Sequence, residues 1–175
     1  MPTPWFVPAH DILRRPGEAK DFGVTVTVPE AFGNAVIGVP EGGELRIDGR
    51  LESLHDGILV TAEIAGMVEG ECVRCLVAVA EPIEVDFQEL FGYPGTSDFD
   101  YEVQGDGVDL EQVVRDTVVP ALPFQPVCQE DCPGLCPVCG VRLLDYPGHE
   151  HEPQADPRWA ALGDLAPRTD DELPE

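Results

Sequence analysis

The sequence predicts an α+β fold: an antiparallel β meander with one packed helix, followed by a C-terminal segment rich in Cys and His. Three observations predict it. Apolar and polar residues alternate through three runs between Glu44 and Phe87, as in strands with one face buried and one face wet. The period then lengthens to that of a helix between Leu110 and Val118. From Cys128 to His151 large apolar residues are too few for a unit held by burial, and a metal ion is the usual substitute in so small a unit.

The elements follow in order. The first 40 residues are rich in Pro and Gly, and only Asp21 to Val28 reads as regular. There Phe22, Val24, Val26 and Val28 alternate with Gly and Thr, which suits a short strand. Leu45, Ile47 and Leu51 take alternate positions in the next run, with Gly49 between them. His55-Asp56-Gly57 supplies a turn, since Asp-Gly tolerates the positive φ of a tight hairpin. Ile58, Val60, Ala62, Ile64 and Val68 form the second run, and Val77, Val79, Ile83, Val85 and Phe87 the third. Residues 92 to 107 read as a polar loop with one short strand. Leu110, Val113, Val114, Thr117 and Val118 then make one helical stripe that should pack on the sheet. Asp109 is the expected N-cap, and Pro120 and Pro123 are expected to stop the helix. No internal repeat is present.

Composition bounds the function. The chain has 175 residues, enough for one domain with a small appendage, and its 43% hydrophobic and 25% charged residues are ordinary globular usage. No apolar run approaches the roughly 20 residues a membrane span requires, and the first ten residues have neither the basic nor the apolar part of an export signal. A soluble, cytoplasmic protein is the expectation. Ten Lys and Arg face 34 Asp and Glu, for a formal net charge of −24. From Glu81 to Asp116 the only basic residue is Arg115. A field of that sign repels RNA and anionic membranes and attracts basic proteins; the plainer reading is solubility alone.

The six cysteines are clustered at 72, 75, 128, 132, 136 and 139. In a reducing compartment such clusters hold metal more often than disulfides. Tetrahedral Zn²⁺ needs four thiolate or imidazole ligands, and a Cys-x-x-Cys turn presents two sulfurs to one ion. With His149 and His151 the cysteines make eight candidate ligands, enough for two closed sites. The preferred pairing puts Cys72, Cys75, Cys128 and Cys132 on one ion and Cys136, Cys139, His149 and His151 on another. The rival joins the two Cys-x-x-Cys pairs in one site and leaves Cys128 and Cys132 free. The expected cofactor is therefore Zn²⁺, as one or two ions. Plainer readings stand beside these: His149 and His151 as solvated loop residues, and His10 and His55 as surface residues by turns. The chain then divides into an α+β domain over 1–125, a zinc-binding segment over 126–152, and a short helix with a disordered acidic tail over 153–175.

Catalysis is not expected. There is no phosphate-binding Gly-Lys-Ser/Thr loop, no Gly-x-Ser-x-Gly elbow and no His-Glu-x-x-His helix. Two closed sites leave no open metal position for water. A thioredoxin-like role for Cys72 and Cys75 needs the motif at a helix N-terminus, and here Cys75 runs into a β pattern.

Cys72-Val-Arg-Cys75-Leu76 before a β run, the acidic stretch, and Cys128-x-x-x-Cys132-Pro-Gly-Leu-Cys136-Pro-Val-Cys139-Gly140 together resemble the large ribosomal RNA subunit accumulation proteins, the YceD-like family. Asp109-Leu110 opening a helix that leads to Pro120-Ala-Leu-Pro123 extends the likeness. The resemblance implies a bacterial, cytoplasmic factor needed for accumulation of large-subunit ribosomal RNA, with no catalysis and no small-molecule substrate. It also implies a gene neighbourhood shared with a small basic protein of the large subunit. Many relatives carry a further Cys-x-Cys where this chain has His149-Glu-His151. Some lack the second Cys-x-x-Cys, which implies Cys72, Cys75, Cys128 and Cys132 as the core site. The expected partner is a basic ribosomal protein or a pre-ribosomal particle met by the acidic surface, with direct RNA contact left open. A zinc-thiolate redox sensor is the alternative function.

Overall fold

The computed structural model describes residues 3–95, 99–151 and 158. The chain parts into two compact units, Met1–Pro133 and Gly134–Glu175. The short helix expected after Asp156 and the acidic tail lie outside the described residues, Arg158 apart.

The first unit is built on the three alternating runs. They form strands β5 (Glu44–Ser53), β6 (Gly57–Glu71) and β7 (Ala78–Gly92), paired antiparallel with Ile47 opposite Ile64 and Ile64 opposite Val85. Leu45, Ile47, Leu51, Ile58, Val60 and Ile64 are wholly buried on one face; burying each contributes about 2 kcal/mol. The turn differs from the one expected. Neither Asp56 nor Gly57 takes a positive φ; the turn closes through the Leu54 N–H donating to the Gly57 carbonyl at 2.8 Å. Gly57 is required for space instead, because a Cβ there would strike the Phe91 carbonyl.

Strand β2 (Ala19–Thr27) extends the sheet beyond β5, pairing antiparallel with Val26 opposite Leu45. It starts and ends slightly earlier than the alternation predicted. The long β6 serves three neighbours. On one edge it pairs with β5 and then, near its end, with the short β4 (Ile37–Val39); on the other it pairs with β7 throughout. Strand β3 (Phe32–Gly33) pairs with β4, and β8 (Tyr101–Glu102) pairs parallel with the end of β7.

The N-terminal region is more ordered than its Pro and Gly content predicts. Strand β1 (Phe6–Pro8) pairs with β9 (Gly107–Asp109) in a second, two-stranded sheet, Val7 opposite Val108. Trp5, Val7, Ala9 and Ile12 are buried in the core. The following turn is pinned by Ser53 and Tyr93: the Arg15 N–H donates to Ser53 Oγ at 3.2 Å and the Arg14 N–H to Tyr93 Oη at 2.8 Å. The Arg14 guanidinium also lies over the Tyr93 ring, 4.8 Å from its centre.

Helix α1 (Glu111–Ala121) packs against β7 and β3, burying Val113, Val114 and Val118. Its N-cap and the place of Pro120 differ from expectation. Leu110 is the N-cap and contributes no side-chain hydrogen bond; Asp109 acts from one position earlier, its Oδ1 accepting the Glu111 N–H at 3.0 Å. Pro120 lies inside the helix rather than ending it. In the last turn its ring removes one hydrogen bond without breaking the helix, which stops at Ala121 because Leu122, the residue before Pro123, is extended. Among the described residues no helix is long and apolar enough to cross a membrane.

Candidate metal centres

Six residues, Cys72 to Val77, connect β6 to β7. Within them the Cys72 N–H donates to the Val77 carbonyl and the Leu76 N–H to the Cys72 carbonyl, both at 2.8 Å. This closed turn turns the Cys72 and Cys75 sulfurs to one side. The opposing pair comes from the loop after α1. The Val73 N–H donates to the Pro126 carbonyl at 2.9 Å, and Arg74 Nη1 donates to the carbonyls of Glu130 and Cys132 at 3.2 and 3.1 Å. Cys128 and Cys132 are thereby brought to the hairpin tip. The four sulfurs form one group, with Cys72, Cys75 and Cys132 buried and Cys128 half-buried.

Distances within this group test what it could hold. Cys72 Sγ and Cys132 Sγ are 3.9 Å apart, and Cys75 Sγ and Cys128 Sγ are 3.6 Å apart. A disulfide needs about 2.05 Å, and all six cysteines are free. A tetrahedron of thiolates with zinc–sulfur bonds near 2.3 Å has edges of about 3.8 Å. The donor set and its spacing fit Zn²⁺.

The backbone also favours thiolate. Burial pushes the Cys72 thiol up, but N–H groups of Cys128, Arg74 and Cys75 aimed at its sulfur bring it down to about 6. Burial and the adjoining Cys75 sulfur push Cys128 up instead.

The second group lies within the other unit, where Cys136, Cys139, His149 and His151 converge. Their turn repeats the first bond for bond: the Cys136 N–H donates to the Val141 carbonyl and the Gly140 N–H to the Cys136 carbonyl, again at 2.8 Å. N–H groups of Cys139 and Val138 lower the Cys136 thiol. Cys139 Sγ lies 3.2 Å from His149 Nε2 and 3.3 Å from His151 Nε2, and the two Nε2 atoms are 2.9 Å apart. A zinc–nitrogen bond near 2.05 Å gives a nitrogen–nitrogen edge of about 3.3 Å, so these rings sit slightly closer than a bound ion would hold them. His149 is half-buried and His151 exposed, and the Nε2 atoms of both lie against Cys139 Sγ. His10 and His55 are exposed, as expected.

The structure gathers the eight residues in the first of the two pairings the spacing left open. Two further residues of the first centre carry no ligand atom. Arg74 clamps the loop that brings Cys128 and Cys132. Leu76 stands at φ 59°, where the matching turn has Gly140 at φ 73°; a side chain there costs about 1 kcal/mol. The signal for the match is in the sequence: Cys-x-x-Cys-x-Val occurs twice, with Leu in one copy and Gly in the other.

Comparison with known proteins gives a consistent picture. The profile of the large ribosomal RNA subunit accumulation protein YceD matches residues 60–166, a span that contains both clusters. An uncharacterized protein of Mycobacterium tuberculosis is 43% identical over 176 residues, covering 96% of this chain and 84% of its own length. One of Mycobacterium leprae is 38% identical, covering 87% and 73%. The uncharacterized protein YlbN of Bacillus subtilis is 28% identical, covering 73% and 77%. No solved structure matches the chain.

Proposed function

The chain belongs to the family of large ribosomal RNA subunit accumulation proteins, and from that premise we propose that it is a non-catalytic, zinc-binding factor of the bacterial cytoplasm that supports accumulation of large-subunit ribosomal RNA. The observation that carries the reading is the family match over residues 60–166, which includes all eight gathered thiol and imidazole ligands. Zinc is a structural element in this reading. Four protein ligands at each centre close it to water, so it ties a loop to a hairpin and folds a segment rather than activating a substrate.

The partner in this reading is a basic ribosomal protein or a pre-ribosomal particle. Charge supports it. On the outward face of the sheet Glu63 stands opposite Asp48 on β5 and Asp86 on β7, an arrangement that is self-repulsive unless cations arrive. Arg46 and Arg50 answer carboxylates on the β2 and β5 side, at Asp48, Asp21 and Glu52. Strands β6 and β7 contain no Lys or Arg. Six thiolates and two zinc ions leave the chain strongly acidic, so a cationic protein is a better match than bare RNA.

The test joins metal to function. Purified wild type should carry two zinc ions per chain, and Cys72→Ser and Cys136→Ser one each. In cells lacking the protein the ratio of large- to small-subunit ribosomal RNA should fall. Wild type should restore it, and Cys72→Ser should not. An unchanged ratio on depletion overturns the reading. The redox-sensor alternative has one observation in its favour, the exposure of Cys139. Retention of zinc and partner binding after mild peroxide removes it.

A further inference from the structure

The two zinc-type turns share their backbone hydrogen bonds and differ in the residue at their positive-φ position. Both close with paired 2.8 Å hydrogen bonds, and both place their fifth residue at positive φ. In one turn that residue is Gly140, for which the conformation is free. In the other it is Leu76, for which it is strained, and the Leu76 side chain is 60% exposed. Neither backbone preference nor burial accounts for a leucine at that place. Strain held at an exposed position points to a contact outside the chain.

Its surroundings suit such a contact. Val73, 38% exposed, follows Cys72 in the same turn, and its N–H holds the Pro126 carbonyl two residues after Phe124, which is 83% exposed. The strand end and the loop that carry these apolar side chains also carry the exposed carboxylates Glu69, Glu71, Glu130 and Asp131. Arg74 is the sole cation among residues 69–81 and 124–132, and its guanidinium is engaged by the Glu130 and Cys132 carbonyls. Four thiolates around one dication add net negative charge beneath. An apolar centre with an anionic rim fits a cationic protein segment that brings an apolar side chain of its own. A nucleic acid would meet the same rim with like charge.

We propose that Leu76, with Val73 and Phe124, forms the docking surface for a basic protein segment, displayed by the turn that holds Cys72 and Cys75. The inference rests on the basic-partner reading above and names the place where that partner binds. Leu76→Gly is the informative variant, because it removes the side chain while relieving the strain. Its zinc content should equal wild type and its Tm should be equal or higher. Phe124→Ser removes a side chain already in solvent.

Full-length wild type and both variants are titrated with RNA-free large-subunit ribosomal proteins of net positive charge, purified and assayed one at a time, and with a large-subunit ribosomal RNA fragment. Wild type should bind at least one such protein saturably, and each variant should bind it about tenfold or more weakly, as for loss of an interface anchor. Equal affinity in both variants overturns the docking surface and leaves the basic-partner reading intact. Failure of every cationic protein to bind wild type overturns that reading itself. Binding of the RNA fragment that Leu76→Gly abolishes would show the occupant to be nucleic acid and overturn the inference as stated.

Discussion

Burial and a carboxylate act in the same direction on Tyr101. Its partly buried ring disfavours the phenolate, and its hydroxyl donates to Asp116 Oδ2 at 2.9 Å, with Glu89 and Asp100 adding negative charge nearby. Together they push the phenol from 10 up to about 12. The folded state therefore keeps a proton that the unfolded chain has already lost. Stability from this group is complete below pH 10 and is lost as pH rises toward 12. In an absorbance titration of the phenolate band, the Tyr101 component should ionise near 12, and Asp116→Asn should bring it back toward 10. A phenolate titration that Asp116→Asn leaves unchanged would refute this account.

At the scale of elements, one side chain fixes how β3 turns into β4 and where the chain goes after α1. Asn34 Oδ1 accepts the Val36 and Ile37 N–H groups at 2.9 and 3.0 Å, while Nδ2 donates to the Pro123 carbonyl at 3.3 Å. Asn34→Ala should cost about 1–2 kcal/mol, read from the denaturation midpoint, and Asn34→Asp, which keeps the acceptor, should recover most of it. An alanine variant as stable as wild type would mean that strand pairing alone sets the turn. That link was invisible in the sequence, and so were the short strands other than β8, which falls in the loop where one was expected. A run of two or three residues has no measurable period, and Val7 finds its partner Val108 only through the tertiary fold. The long strands were legible because one face of each meets water, which writes the alternation of Leu45, Ile47 and Leu51 into the chain. The stripe Leu110, Val113, Val114, Val118 gave the helix for the same reason, and Pro123 marked its end through the extended Leu122, whereas Pro120, in the last turn, removes too little to stop it. The cysteine pairs were legible as turns. Their grouping was not, because it depends on the β6–β7 hairpin reaching the loop after α1.

At the scale of the whole molecule, the two units differ in what holds them. The first has an extensive core, from Trp5 and Leu45 to Val118 and Leu122. In the second, among described residues 134–151, only Gly134 and Cys136 are buried. Its ties include backbone bonds, such as the Leu143 N–H to the Gly134 carbonyl at 3.0 Å, and the ion pair of half-buried Arg142 with exposed Asp145. Apolar burial among these described residues is slight, and in the zinc-bound form proposed above ligand convergence would supply the free energy. Chelation should therefore act unequally. The second centre, with Cys139 and His151 at the surface, should release its ion first, and amide protection at Cys136, Gly140 and Leu143 should vanish with it. The first centre has three of its four ligands buried, and should release its ion in a slower second phase. Even then the pairing of β5, β6 and β7 should persist, because Leu45, Ile47, Ile58, Val60 and Ile64 are buried without help from the cysteines. Hydrogen exchange followed during chelation reads all three events in one experiment. Loss of protection across β5, β6 and β7 in step with the first ion released would show that metal, rather than the apolar core, holds the sheet.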